Sequence, residues 1–350
     1  MKHVFITGAA GFIGIHTVHV FIKKGWHVTA LVHRRISKEF EQFAKSQALT
    51  IMKGDVTDIP ALRSMLGAEV EGRGIMFDAV VHCAGRASDV GWRSGFRRTN
   101  FESVKGLVQI VKELNVGRFV FISTTDVYGL YDFNGESEDK LPLKSHPANP
   151  YPEFKIAAEK IIMAELPASQ FCIVRPAQVW GVGDLTLTSR IVDFLKWSPW
   201  IIHFGKWHGL NRWPLAHVDN VAMAIFLATT HPDAAGLTIN VIDDEKTTME
   251  EFYRILAHLY LPDRRLRTVT IPFWIGQCAG AVVSAVSNLL NLRQPFLDPS
   301  FYALYAVSHN LDFSNKRMKE LFAKAGYSIV SREDGVLQIK QSRSKEGQFT

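Results

Sequence analysis

A doubly wound, parallel α/β sheet with a smaller, interleaved C-terminal region is predicted by three observations. Short β-branched and aromatic runs recur along the chain, helix-period stretches fall between them, and the first run leads straight into a glycine-rich turn. The runs are apolar at consecutive positions, as strands covered on both faces should be.

In chain order, residues 2–7 form the first strand and pass into Gly8-Ala9-Ala10-Gly11-Phe12-Ile13-Gly14, followed by an apolar-periodic stretch through Lys24. Strand, glycine turn and helix together predict a phosphate cradle. Gly8 permits the tight turn, Gly11 a close backbone approach to a pyrophosphate, and Gly14 the packing of helix on strand. The helix start at Phe12 and Ile13 offers free N–H groups to an anion. The plainer alternative is a glycine turn without a ligand. A second strand, 27–32, ends in His33-Arg34-Arg35, with no acid before Glu39. Arginine at this place accommodates a 2′-phosphate, so NADP is expected over NAD, unless these residues are only a solvated loop.

Further strands are expected at 48–52, 77–82, 118–122 and 171–174, with helices at 99–113 and 152–165. A helix at 218–230 returns to the sheet. The expected division is a dinucleotide-binding unit at 1–176 with 212–240 returning to it, a substrate-binding region at 177–211 and 241–340, and a tail at 341–350.

With 350 residues, 47% hydrophobic, 21% charged and a net charge of +6, the chain reads as a globular enzyme. Its basic residues are scattered, which argues against nucleic acid as a partner. Cys83, Cys172 and Cys278 lie in apolar stretches without metal-ligand spacing. They read as buried free thiols in a reducing compartment, and no metal is expected. The first strand carries no signal-peptide organisation, so a cytoplasmic location is expected.

Tyr151 and Lys155 stand four residues apart, so on a helix the phenol and the ammonium share a face. A positive charge there would favour the phenolate and suit the tyrosine to proton transfer near neutral pH.

The ordered pieces resemble the extended branch of the short-chain dehydrogenase/reductase family. They are the glycine turn, Gly54-Asp55-Val56, Val80-Val81-His82-Cys83-Ala84-Gly85, Asn100, Ser123-Thr124-Thr125-Asp126-Val127-Tyr128-Gly129, Tyr151 with Lys155, and Arg175-Pro176 before Val179-Trp180-Gly181. The resemblance implies a Rossmann-type fold. It also implies that Asp55 and Val56 contact adenine and that Ala84 and Gly85 pass beneath a ribose. Thr124 would hold the substrate oxygen, with Ser123 as the fallback. Lys155 would also hold the nicotinamide ribose, Pro176 to Val179 would border the nicotinamide, and a homodimer would form through helices near Asn100 and Tyr151.

Residues 183–190 and 213–221 resemble the 3β-hydroxysteroid and sterol dehydrogenase branch, which implies a hydrophobic alcohol or ketone as substrate. Residues 268–292 hold 25 positions without a charge. Pro272 and the interspersed polar residues disfavour a spanning helix. A helix covering the substrate, resting on a membrane surface, or simply packed in the core all remain open. Two other functions also stay open. A nucleotide-sugar epimerase or dehydratase would use Arg190 or Arg212 for a diphosphate, although Thr125-Asp126 departs from the dehydratase Asp-Glu. A non-catalytic NADP-binding regulator would keep the fold without turnover.

Overall fold

A computed structural model describes residues 1–33, 36, 40, 48–146, 149–292 and 294–346. Among the described residues, the central sheet has seven parallel strands. These include β1 (His3–Thr7), β2 (His27–Val32), β3 (Leu49–Lys53), β4 (Ala79–His82) and β5 (Arg118–Ile122), completed by Phe171–Pro176 and Thr238–Val241. Their spatial order is Thr238–Val241, Phe171–Pro176, β5, β4, β1, β2, β3. The order reverses between β1 and β4, so a crevice opens there at the carboxyl ends of the strands. Interiors such as Val28, Ala30, Val81, Phe119 and Val120 are fully buried, as expected for a sheet covered on both sides.

Helix α1 (Phe12–Lys23) packs against Val218–Thr230 on one face, while Ser103–Glu113 and Pro150–Glu165 cover the other. The latter helix starts two residues earlier than its periodicity indicates. Asn149 caps it by accepting the Tyr151 N–H at 2.9 Å, and Pro150 is tolerated in the first turn, where its missing N–H costs no bond. The expected helix at 99–113 is interrupted. Arg98–Glu102 is a π-helical turn, and regular α-helix begins at Ser103.

Among the described residues, three small parallel pairs lie outside the main sheet: Gln178–Trp180 with Leu215–His217, Trp200–Phe204 with Arg267–Ile271, and Phe133–Glu136 with Leu311–Phe313. The uncharged segment therefore begins as a strand. After Pro272 it becomes the helix Phe273–Leu289, tied to the loop after β4 by the Gly91 N–H donating to Asn288 Oδ1 at 2.7 Å. Among the described residues, no helix is long and apolar enough to cross a membrane. The final helix, Arg332–Glu346, continues past position 340, where a tail was expected. Cys172 is buried and Cys83 partly so, but Cys278 is exposed. Its sequence neighbours are apolar, yet it falls on an outward face of its helix, which corrects the expectation of three buried thiols.

Candidate active site

At the end of β1 the chain turns sharply at Gly8, whose φ is +65°. The Gly11 N–H donates to Gly8 O at 2.9 Å, and α1 starts at once with no side-chain cap and no acid in its first turn. Its first N–H groups therefore lack intrahelical partners, and the helix dipole presents them to an anion. A Cβ on Gly14 would fall 2.1 Å from Gly8 O, so only glycine fits. Phe12 and Ile13 form the first turn of α1, where the Ile13 carbonyl accepts from Thr17 Oγ1 at 2.8 Å.

The neighbouring strand ends are tied together. Thr7 Oγ1 lies 2.7 Å from His82 Nδ1 and accepts the Ala84 N–H at 3.3 Å. Burial, with Lys155 nearby, pushes His82 down to about 3, so this ring is neutral. After β3, the Asp55 carboxylate accepts the N–H and hydroxyl of Thr57, both at 2.9 Å, and approaches His33 Nε2 at 3.5 Å. Partial burial works against ionisation of Asp55, but the Thr57 hydrogen bonds outweigh it and hold the carboxyl below its ordinary range. Val56 beside it is buried. Arg34 and Arg35 lie outside the described residues.

Asn100, buried in the π-helical turn, fixes the loop after β4. Its Oδ1 accepts the Arg86 N–H at 2.7 Å, and its Nδ2 donates to Arg86 O at 3.0 Å. A Cβ on Gly85 would stand 3.3 Å from Lys155 Nζ and 3.4 Å from Asn100 Oδ1, which brings Ala84 and Gly85 against the lysine.

Thr124, Tyr151 and Lys155 converge, but not in the way helix spacing suggests. The Thr124 hydroxyl stands close enough to the Tyr151 phenol to favour its ionised form. The Lys155 ammonium does not reach the phenol. It donates to Ile122 O at 2.6 Å and sits 5.9 Å from the Tyr151 ring centroid. A buried ammonium needs an acceptor, and the carbonyl at the end of β5 supplies one. Burial lowers Lys155 to about 8, partly opposed by the Glu159 carboxylate. Tyr151 moves opposite to expectation. Burial and the Asp126 carboxylate raise it above its ordinary value of 10, and the nearby Thr124 hydroxyl only partly offsets them. The phenol is therefore held neutral, which corrects the expected phenolate.

Ser123 is buried, and among the described residues its Oγ has no hydrogen-bond partner. Pro176 ends its strand opposite Val241, while Val179 pairs with Ala216 in the short strand beyond. The uncapped helix start, the glycine cradle and the unpartnered Ser123 hydroxyl fit a dinucleotide lying across the strand ends.

Beside this row lies a cavity of about 350 Å³. Its walls are mainly apolar, including Ile191, Phe194, Ile202, Phe204, Ile275 and Ala306. Asp126 and Tyr302 line it and also act electrostatically on Tyr151, so these two residues link the cavity to the phenol, which is not itself among the lining residues. Burial lifts Asp126 to about 6, opposed by Tyr302 and aided by Asp89. Sequence reasoning treated Asp126 only as a departure from a dehydratase pattern and missed Asp89, Tyr302 and Asp298. Asp126 was accessible as a carboxylate two residues after Thr124, whereas Tyr302 arrives from a distant helix with no local signal. Arg190 and Arg212 are not brought together. Arg190 lines the cavity, held by Asp89 and Asp298, while Arg212 lies in a separate surface hollow and donates to Lys246 O at 2.9 Å. Among the described residues, no three His, Cys, Asp or Glu side chains gather as a metal would require.

The chain resembles 2-alkyl-3-oxoalkanoate reductase of Shewanella oneidensis, with 26% identity over 98% of this chain and 86% of the relative. It is equally 26% identical to sterol-4-alpha-carboxylate 3-dehydrogenase, decarboxylating, of Mus musculus, over 97% of this chain and 91% of that one. In fold it matches dTDP-glucose 4,6-dehydratase of Bacillus anthracis in complex with NAD, with a TM-score of 0.71, 18% identity and coverage of 99% of this chain and 98% of that one. Residues 4–241 match the NAD dependent epimerase/dehydratase family. The chain belongs to that family, the extended branch of the short-chain dehydrogenases and reductases.

Proposed function

We propose that this enzyme interconverts a secondary alcohol and a ketone on a hydrophobic substrate, with NADP as its dinucleotide. The carrying observation is a Tyr151 phenol close to the Thr124 hydroxyl and to Asp126, a residue that lines a largely apolar cavity. A bound nicotinamide dinucleotide supplies the hydride chemistry. Gly8, Gly11, Phe12, Ile13 and Gly14 would hold its pyrophosphate, Asp55 and Val56 its adenine end, and Ala84, Gly85, Ser123, Lys155, Pro176 and Val179 its ribose and nicotinamide. His33, Arg34 and Arg35, with no acid before Glu39, support NADP over NAD.

Each side chain has a defined task. Thr124 holds the substrate oxygen. In reduction the phenol gives its proton to the forming alkoxide, and in oxidation its phenolate takes the hydroxyl proton. Thr124 and Asn149 then fix where that proton leaves, because one stands beside the hydroxyl and the other caps the helix start that carries the ring. Asn100 is a positioning residue for the loop beneath Lys155.

We also read 1–176 with 212–240 as the dinucleotide unit, and 177–211 with 241–340 as the substrate unit. A cytoplasmic enzyme resting on a membrane surface through 268–292 fits two faces of one helix. Ile275, Gly276 and Ala279 line the cavity, while Trp274, Val282, Val286 and Leu289 are exposed.

A nucleotide-sugar substrate gains less support, since Arg190 is already paired with two carboxylates and Arg212 stands outside the cavity. The discriminating experiment offers NADPH or NADH with apolar ketones, and separately UDP- and dTDP-sugars. Oxidation of NADPH by an apolar ketone is the expected result. Sugar turnover without net cofactor oxidation would replace this reading with an epimerase.

A further inference from the structure

The ionisable groups lining the cavity are unbalanced. Asp89, Asp126 and Asp298 face it, whereas Arg190 is the one basic residue among the described lining residues. The guanidinium is engaged on both sides. Its Nε donates to Asp298 Oδ2 at 2.9 Å, and its Nη2 donates to Asp89 Oδ2 at 2.7 Å and to Asp298 Oδ1. Ser300 Oγ adds a donor to Asp89 at 3.1 Å. Asp89 and Asp298 thus more than match the guanidinium before Asp126 is counted. The lining stays net negative whether or not Asp126 keeps its proton.

The position of that charge matters as much as its sign. Asp126 follows Thr124 by two residues, in the turn Thr125–Tyr128, and its carboxylate is close enough to perturb Tyr151. A substrate whose oxygen lies on Thr124 and Tyr151 would bring the next one or two carbons toward Asp126. A free carboxylate there would meet a like charge in a site with little water to screen it.

We infer that this pocket selects substrates with no negative charge near the reacting carbon: neutral apolar ketones and alcohols, or ones carrying a hydrogen-bond donor toward Asp126. The inference rests on the alcohol–ketone reading of the cavity and narrows it. By name, the two relatives act on an oxoalkanoate and on a carboxylate. This chain's cavity is built against that charge.

A matched pair tests it: 3-hydroxydecanoate and its methyl ester, which share a carbon skeleton and differ in charge. Affinity for the NADP-loaded protein is measured by calorimetry, and kcat/KM by NADPH formation. The ester should bind and react better than the acid by about tenfold or more. Asp126→Asn should narrow that ratio, mainly through the KM of the acid. The ratio is an internal control, because a general loss of activity moves both substrates together. Equal or tighter binding of the acid would overturn the inference, as would a ratio unchanged in Asp126→Asn. Preferential binding of the ester without turnover would uphold the charge selection while removing the alcohol–ketone reading. If neither compound binds, both fail.

Discussion

The two halves of the active-site crevice are made of different material. The dinucleotide side is built from backbone: one turn at Gly8, one uncapped helix start and the ends of β1 and β4, with its cradle within fourteen residues of the N-terminus. The substrate side is built from side chains brought together from positions as far apart as Asp89, Asp126, Arg190, Ile275 and Tyr302. A backbone site constrains which residues fit and tolerates little change. A side-chain site leaves the fold intact while the preferred substrate changes. That difference explains how one architecture is shared with a sugar-nucleotide dehydratase at 18% identity while this chain's cavity is apolar and acidic.

Three substitutions probe the contrast, the largest effect first. Gly14→Val should abolish dinucleotide binding, because even its Cβ would sit 2.1 Å from Gly8 O. We expect at least a hundredfold loss, of order 3 kcal/mol, measured by fluorescence titration with NADPH. Normal affinity in a folded Gly14→Val protein would break the distinction between the two halves.

Asp126→Asn should act on stability with a definite pH sign. In the folded protein burial lifts this carboxyl to about 6, so folding favours the protonated form. That contribution is complete below the unfolded value of 3.8 and is lost as pH rises through about 6. Asparagine removes the penalty of the buried charge. The variant should therefore gain more in Tm at about pH 8 than at about pH 5, by an effect on the order of 1–2 kcal/mol. A gain that shrinks toward alkaline pH would mean that Asp126 is compensated in a way these contacts do not reveal.

Ser123→Ala should be the mildest. Its hydroxyl has no protein partner among the described residues, so the free protein should lose nothing and Tm should stay level or rise slightly. Dinucleotide affinity should fall about threefold to tenfold, one net hydrogen bond. A drop in Tm with unchanged affinity would place Ser123 in the structural framework instead.

Much of the backbone half was readable from the chain itself. The strands at 27–32 and 118–122 and the helix at 218–230 fall where expected, because consecutive apolar residues and helical periodicity are local signals. Local signals also explain the near misses. Asn149 as a cap and Pro150 as a permitted first residue move one helix start, and the π-helical turn at Asn100 leaves no trace in apolar spacing. What spacing cannot carry is where a polar group finds its partner. Helix geometry put Lys155 beside the Tyr151 phenol, but the ammonium instead bonds Ile122 O, from a strand thirty-three residues earlier. The neutral state of Tyr151 follows from burial and from Asp126, both products of tertiary packing.

The central claim is that the Tyr151 oxygen moves the proton while other groups hold the dinucleotide. Tyr151→Phe tests it, with NADPH affinity and the rate of ketone reduction measured on the same preparation. We predict a fall in kcat of about 10²- to 10⁴-fold with NADPH affinity within about twofold of the parent. A Phe variant that keeps most of its rate would contradict the account.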